Sequence, residues 1–351
     1  MIKIIKTSLI SLSCFTFLVA CEKSDDISTA VEKAVEPLVY DEVEWNVSLW
    51  SKRRAFTEHV EKLSELVSTK TDGKFKLNIS YGGLSKNKEN LDGISIGAFE
   101  MAQFCSFYHK AKNPTITVTE LPFAKDISLA RLAEISMKVY QHPSVVGDLA
   151  RWNATLLMPS PLPQYNLIGV GKTPESLDDF SGKRIRGPGG IAGVMSQLGA
   201  VKTGVAANEV RQALDAGVID TVAFAQHAHL AFGSVEAGTW ATDNLNLGTA
   251  NCPVVANTQA LAGLSDNNRK VLLESIDESI QHYVSNYENN VIGKYNDKIK
   301  EKGIAVVTFS PEQTKKMDGL AVAVRDKWIK DNSGNFNAQE LYDFTAALFS
   351  E

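Results

Sequence analysis

From Val43 onward the chain alternates between two hydrophobic periods, and this restricts its fold more than any single motif. Trp45-Asn46-Val47-Ser48-Leu49-Trp50 and Phe75-Lys76-Leu77-Asn78-Ile79-Ser80-Tyr81 place apolar side chains at every second position, as half-buried strands do. Between them Phe56, Val60, Leu63, Leu66 and Val67 recur at helical spacing, and Asp72-Gly73 ends that run. The pattern continues with a short helix over Leu91 to Ile96, a short strand over Phe99 to Phe104 and one long helix from about Ser128 to Leu149. Strand, helix and strand in this order predict parallel sheets joined by crossover helices, an α/β fold class.

Pro159, Pro161 and Pro163 then fall within five residues. Proline has no amide proton to give a central strand, so this stretch reads as an extended crossing between two bodies. A second βα set follows: Arg184-Ile185-Arg186, a glycine turn, helices near Ile191 to Leu198 and Asn208 to Ala216, and a strand over Ile219 to Phe224. Ser265-Asp266 opens a helical pattern that runs to about Lys302, where Gly303 stops it. A helix of that length bends or breaks, and it reaches across two lobes. The expected division is 43–163 with 250–290 as lobe I and 164–249 with 291–351 as lobe II, around a cleft.

The first 42 residues belong to neither lobe. Lys3 and Lys6 precede an uncharged apolar stretch from Ser8 to Ala20, the order of a secretory signal peptide and too short to span a bilayer. Leu18-Val19-Ala20-Cys21 looks like a bacterial lipobox, which makes Cys21 the expected lipidation site on a membrane surface, with 21–42 as a polar tether. The formal charge of −5 moves to about −7 once the two leader lysines leave, which argues against a nucleic-acid partner. Of four cysteines, Cys105 and Cys252 remain in the body; an exported protein can pair them, and two buried free thiols fit as well. Their spacing does not suit a zinc site.

Gly187-Pro188-Gly189-Gly190 joins a strand to a helix just after Arg186. Helix N-terminal amides beside a planar guanidinium make a carboxylate seat; alternatively Arg186 is a surface strand residue and the glycines only shape a turn. A dinucleotide fingerprint fits poorly, because Glu209 lies in a helix start capped by Asn208 rather than at a strand end. His227 and His229 lack the third ligand and outer shell of a metal site and are expected at a cleft rim or surface. No nucleophile, acid–base pair or Gly-x-Ser-x-Gly elbow is present, so no catalytic residue and no enzyme activity are expected. Trp50, Phe104, Tyr108, Tyr165, Phe224 and Trp240 fall at or after strand ends, where open α/β sheets bind ligands.

Leu177-Asp178-Asp179-Phe180-Ser181-Gly182-Lys183-Arg184-Ile185-Arg186 resembles a stretch of the TRAP-transporter solute-binding proteins of the C4-dicarboxylate (DctP) type. Leu198-Gly199-Ala200, Asn208-Glu209-Val210, Ala213 to Asp220 and Glu120-Leu121-Pro122-Phe123 extend the resemblance over most of the chain from Trp45 on. The resemblance implies a two-lobed periplasmic solute-binding protein with a long helix spanning both lobes. It implies capture of a small organic acid for TRAP-type membrane subunits. By position Arg186 is the carboxylate anchor, with Gly189 presenting backbone beside it and Gln164, Phe224, Trp50, Tyr108 and Gln226 completing the expected ligand-binding set. Ala223 stands where some relatives carry a metal-bridging Glu, and no cofactor is expected. Phe224 stands where relatives carry Asn or Trp and offers an apolar face without a hydrogen bond, and Gln164 to Asn166 occupy the region of a second Arg, which together point to a monocarboxylate with an aromatic or apolar tail. The alternatives are a neutral or zwitterionic solute of another transport class, or an exported enzyme on a similar scaffold.

Overall fold

Two sheets organise the residues that the computed structural model describes, 38–123 and 127–350. The leader and Cys21 lie outside the described residues. The strands are β1 (Val43–Leu49), β2 (Phe75–Tyr81), β3 (Met101–Gln103), β4 (Ala154–Met158), β5 (Asn166–Gly169), β6 (Arg184–Arg186), β7 (Val201–Lys202), β8 (Thr221–Phe224), β9 (Trp240–Thr242), β10 (Val254–Asn257) and β11 (Ala305–Val307). Lobe I carries the order β2-β1-β3-β10-β4, and lobe II the order β11-β9-β5-β8-β6-β7.

The sheets are mixed rather than purely parallel. β1 pairs parallel with β2 and β3, while β10 runs antiparallel between β3 and β4. In lobe II, β5 runs antiparallel to β8 and β9. The cause is the two crossings. A chain arriving from the other lobe enters at the edge where its neighbours' carboxyl ends lie, so Asn166 starts β5 opposite Phe224 and Val254 starts β10 opposite Gln103. Both then run away from the cleft. The crossings hold each other through an isolated Pro161–Asn251 bridge, Tyr165 N–H donating to Gly248 O at 2.8 Å, and Leu247 N–H donating to Tyr165 O at 3.0 Å. The proline-rich stretch is therefore an extended crossing, as its missing amide protons require.

The segment from Ser128 to Leu149 is two helices, Leu129–Tyr140 and Pro143–Ala150. Pro143 removes a helical donor and restricts His142 to extended backbone (ψ 134°), so the helix restarts there with the His142 ring accepting from Ser144 N–H. The run over 266–301 breaks at Ser275 and loosens into a π turn at Tyr287–Val291 between helices Ile276–Asn286 and Ile292–Glu301. The first of these packs on Glu58–Lys70 in lobe I and the second on Gln226–Ala231 in lobe II, so the bent helix spans both lobes. One boundary differs from expectation. Helix Pro311–Asn332 packs on Gly189–Gln197 of lobe II, but the final helix, Ala338–Ser350, returns to lobe I against Leu129–Tyr140, where Arg131 Nη2 donates to Leu348 O.

Candidate functional site

Arg184-Ile185-Arg186 alternates along β6. Ile185 enters the core, and Arg184 is held by Asp220 through Nε–Oδ2 (2.9 Å) and Nη2–Oδ1 (2.6 Å). That pair leaves Arg186 for the cleft. Its side chain is only 4% exposed. Nε donates to Val205 O at 3.1 Å and Nη2 to the Tyr108 hydroxyl at 3.0 Å, while the guanidinium carbon sits 4.6 Å from the Phe224 ring centre. Among the described residues no carboxylate pairs with it. Tyr108 also accepts from Ala207 N–H at 3.4 Å, so both lone pairs are used and its own proton remains for an acceptor in the cavity it lines. The guanidinium is therefore buried among a carbonyl, a phenol and a ring, with no counter-ion among the described residues.

A second arginine faces the same cavity. Arg53-Arg54 follows the carboxyl end of β1, where Ser51 takes a left-handed φ of 65° and turns the chain. Arg53 stays outside and pairs with Glu61, whereas Arg54 is 7% exposed. Its Nη1 donates to Trp50 O (3.1 Å) and Lys52 O (2.7 Å), and its guanidinium carbon lies 4.2 Å from the Trp50 ring centre and 5.7 Å from that of Phe232. Burial lowers its pKa to about 10, which still leaves it charged at neutral pH.

These contacts close a ring. Arg186 meets Tyr108; Tyr108 meets Trp50 edge-on (centroids 5.7 Å); Trp50 meets Arg54 and stacks on Phe232 (6.2 Å); Phe232 meets Phe224 (5.7 Å); Phe224 meets Arg186. The space they enclose is small, about 20 Å³, so a solute of more than one or two heavy atoms enters only when the sides of the ring part. Tyr165, Phe56 and His227 complete the wall, together with a Cys105–Cys252 disulfide. The bridge joins the loop after β3 to the loop before β10, which are neighbouring antiparallel strands.

The sequence-derived residues separate into groups. Arg186, Tyr108, Trp50 and Phe224 come together in this cavity. Gly189 opens the helix Gly189–Gln197, but its N–H donates to the Glu120 carboxylate. Glu120 is buried at the end of a lobe I 3-10 helix and also accepts from Ser106 Oγ. Burial raises its pKa to about 7 despite those donors and the charge of Lys110. Gly190 has to be glycine there, since a Cβ would lie 2.2 Å from Glu120 O. Gln164 Oε1 accepts from Gly248 N–H at 2.9 Å, within the crossings. Gln226 lines a larger groove in lobe II with Asn166, His229 and Tyr295, and Phe224 is the wall between groove and cavity. Of the other aromatics, Tyr165 lines the cavity, while Phe104 and Trp240 are fully buried, Trp240 against Gly169.

His227 and His229 lie on helix Gln226–Ala231, both buried, with Nδ1 atoms 3.0 Å from Tyr287 OH and 2.7 Å from Ser234 Oγ. Burial holds both rings far below the usual histidine range. Among the described residues no cluster of three or more His, Cys, Asp or Glu is placed to hold a metal ion. Arg54 is the residue that reading by motif missed. Its signal was a basic doublet in the loop that follows a strand's carboxyl end, whereas Arg186 is the last residue of its own strand, β6.

Residues 47–331 match the model of the DctP family, bacterial extracellular solute-binding protein, family 7. Outer membrane transporter protein TsaT of Comamonas testosteroni is 21% identical over 296 residues, covering 82% of this chain and 86% of that protein. Among solved structures, a marine metagenome TRAP solute-binding protein specific for aromatic acid ligands, in complex with metahydroxyphenylacetate, has a TM-score of 0.79 at 19% identity, covering 88% of this chain and 99% of its own. DctP7 of Bordetella pertussis, an extracytoplasmic solute receptor binding pyroglutamic acid, has a TM-score of 0.75 at 18% identity, covering 88% and 100%. The two-lobed α/β architecture around a cleft is the fold of these neighbours. With its family model matching most of the described chain, this protein belongs to the DctP family, the bacterial extracellular solute-binding proteins of family 7.

Proposed function

We propose that the protein captures a compact organic acid, a monocarboxylate with an aromatic or apolar body, through a carboxylate pair to Arg186 and delivers it to TRAP-type membrane subunits. The observation that carries this reading is Arg186 itself: buried, fixed by Val205 and Tyr108, stacked on Phe224 and without a protein carboxylate among the described residues. Burying a guanidinium is costly unless an anion joins it, and a planar carboxylate matches its fork. The aromatic walls favour a flat or apolar body over a sugar-like one, which needs acceptors and hydroxyl partners. Metahydroxyphenylacetate and pyroglutamate, the ligands of two structural relatives, each carry a single carboxylate, which supports the same class. The site holds a solute without an acid–base pair or nucleophile arranged to transform it, so a receptor role fits better than an enzyme.

Isothermal calorimetry with acids selected by thermal shift tests this. Arg186→Ala is expected to weaken binding at least 100-fold, in line with about 3 kcal/mol for a buried charge-assisted pair; wild-type affinity in that variant would remove Arg186 from the site. We further propose that lipid on Cys21 tethers the receptor outside the cytoplasm. No helix of the described residues is long and apolar enough to cross a membrane. Mass spectrometry of the mature N-terminus should find a diacylglyceryl cysteine, and an unmodified terminus at another residue contradicts it.

A further inference from the structure

The geometry points to a second ligand-binding pole at Arg54 and Trp50, so that the captured acid carries, besides its carboxylate on Arg186, a further oxygen acceptor at its opposite end. This rests on the carboxylate reading of Arg186 and refines it; a preference for the dicarboxylate probes would keep both poles and overturn the monocarboxylate class. Among the described residues, Arg54 Nε and Nη2 and Trp50 Nε1 have no hydrogen-bond partner, and all three atoms are buried. Unmade bonds on buried donors are costly, and more so on a cation, so native proteins rarely retain them without a function. Nε and Nη2 share one edge of the guanidinium. Two parallel N–H groups on that edge suit either one carbonyl-type oxygen or both oxygens of an acid group.

The third unpartnered donor belongs to the ring over which Arg54 is stacked. Three donors and no acceptor define an acceptor-only partner: an ionised hydroxyl, an oxo group or a second acid. The protein supplies no such group, because Arg54 is absent from the ion pairs among the described residues and its remaining nitrogen is held by two carbonyls. Arg54 and Arg186 both line the cavity from different lobes, with Tyr108 and Trp50 along one side and Phe224 and Phe232 along the other. A ligand that reaches both poles ties β1 of lobe I to β6 of lobe II, which converts ligand length into lobe closure. An acid with a bare apolar tail would leave the second pole unpaired.

Matched probes test this directly. Calorimetry compares benzoate with 3-hydroxybenzoate, 4-hydroxybenzoate, isophthalate and terephthalate on wild type, Arg54→Gln, Trp50→Phe and Arg186→Ala. At least one two-ended acid should bind wild type tenfold or more tighter than benzoate, with the hydroxy and dicarboxylate arms showing which acceptor the pole takes. Arg54→Gln should weaken that acid at least tenfold more than it weakens benzoate. Trp50→Phe, which keeps the ring and deletes one donor, should narrow the preference about fivefold and reads the same difference should Arg54→Gln fail to fold. Arg186→Ala should weaken every acid. If acids bind through Arg186 but the two-ended ones gain nothing, or their advantage survives in the Arg54 and Trp50 variants, the second pole is overturned alone. If no acid binds, the carboxylate reading fails and takes the second pole with it.

Discussion

Replacing Glu120 by Gln removes a charge from the contact between lobes, and its consequence can be worked from the site. The carboxyl group is buried between Ser106 Oγ and the amide that opens helix Gly189–Gln197. Burial dominates, and the pKa rises from 4.5 to about 7, which corresponds to about 3 kcal/mol favouring the neutral acid. An acid whose pKa is raised on folding contributes stability that is complete below its unfolded value of about 4.5 and is lost as pH rises through about 7. Gln is neutral throughout and can still accept from Gly189 N–H while donating to Ser106 Oγ. Thermal unfolding of wild type and Glu120→Gln should therefore agree most closely near pH 5 and diverge towards pH 8, with the variant the more stable. At about 2 °C per kcal/mol for a chain of this size, the gap should approach about 6 °C. His59, His227 and His229, held neutral by burial, give the opposite slope, stability lost as pH falls below about 6.5, but they are common to both proteins and cancel in the difference. Parallel curves across pH 5 to 8 would show that burial does not hold the Glu120 carboxyl neutral.

Two further outcomes follow from the same contacts. Gly190→Ala places a methyl against the Glu120 carbonyl, so it should hold the lobes apart: affinity for the bound acid should fall at least tenfold in calorimetry, while the ligand-free melting temperature moves by only a few degrees. Cys105→Ser with Cys252→Ser removes a cross-link that closes 147 residues of chain and should destabilise lobe I by about 2–5 kcal/mol in denaturant unfolding; an unchanged midpoint would show that strand pairing alone sets that edge.

Local chemistry made much of the fold legible. The strict alternation over Phe75–Tyr81 marks β2 residue for residue, and three prolines mark a crossing because no central strand accommodates them. Pro143 carried a legible stop signal that the helical periodicity on either side of it masks. The features that did not show are those set by distant partners. Gly189 reads as an open helix terminus until Glu120, 69 positions earlier, takes its amide. Cys105 and Cys252 read equally as thiols until β3 and β10 are paired. Arg53 and Arg54 are indistinguishable in sequence; the φ of Ser51 and the partner Glu61 decide which one enters the cleft. A single buried cation was expected in the cleft, and the structure places two.

The most direct test is a crystal structure of the protein with the acid that raises its melting temperature most. The carboxylate oxygens should lie about 2.8 Å from Arg186 nitrogens, with the body of the acid between Phe224 and Trp50. An acid lying in the lobe II groove beside Tyr295, or one whose carboxylate meets Arg54 while Arg186 keeps only Val205 and Tyr108, would contradict it.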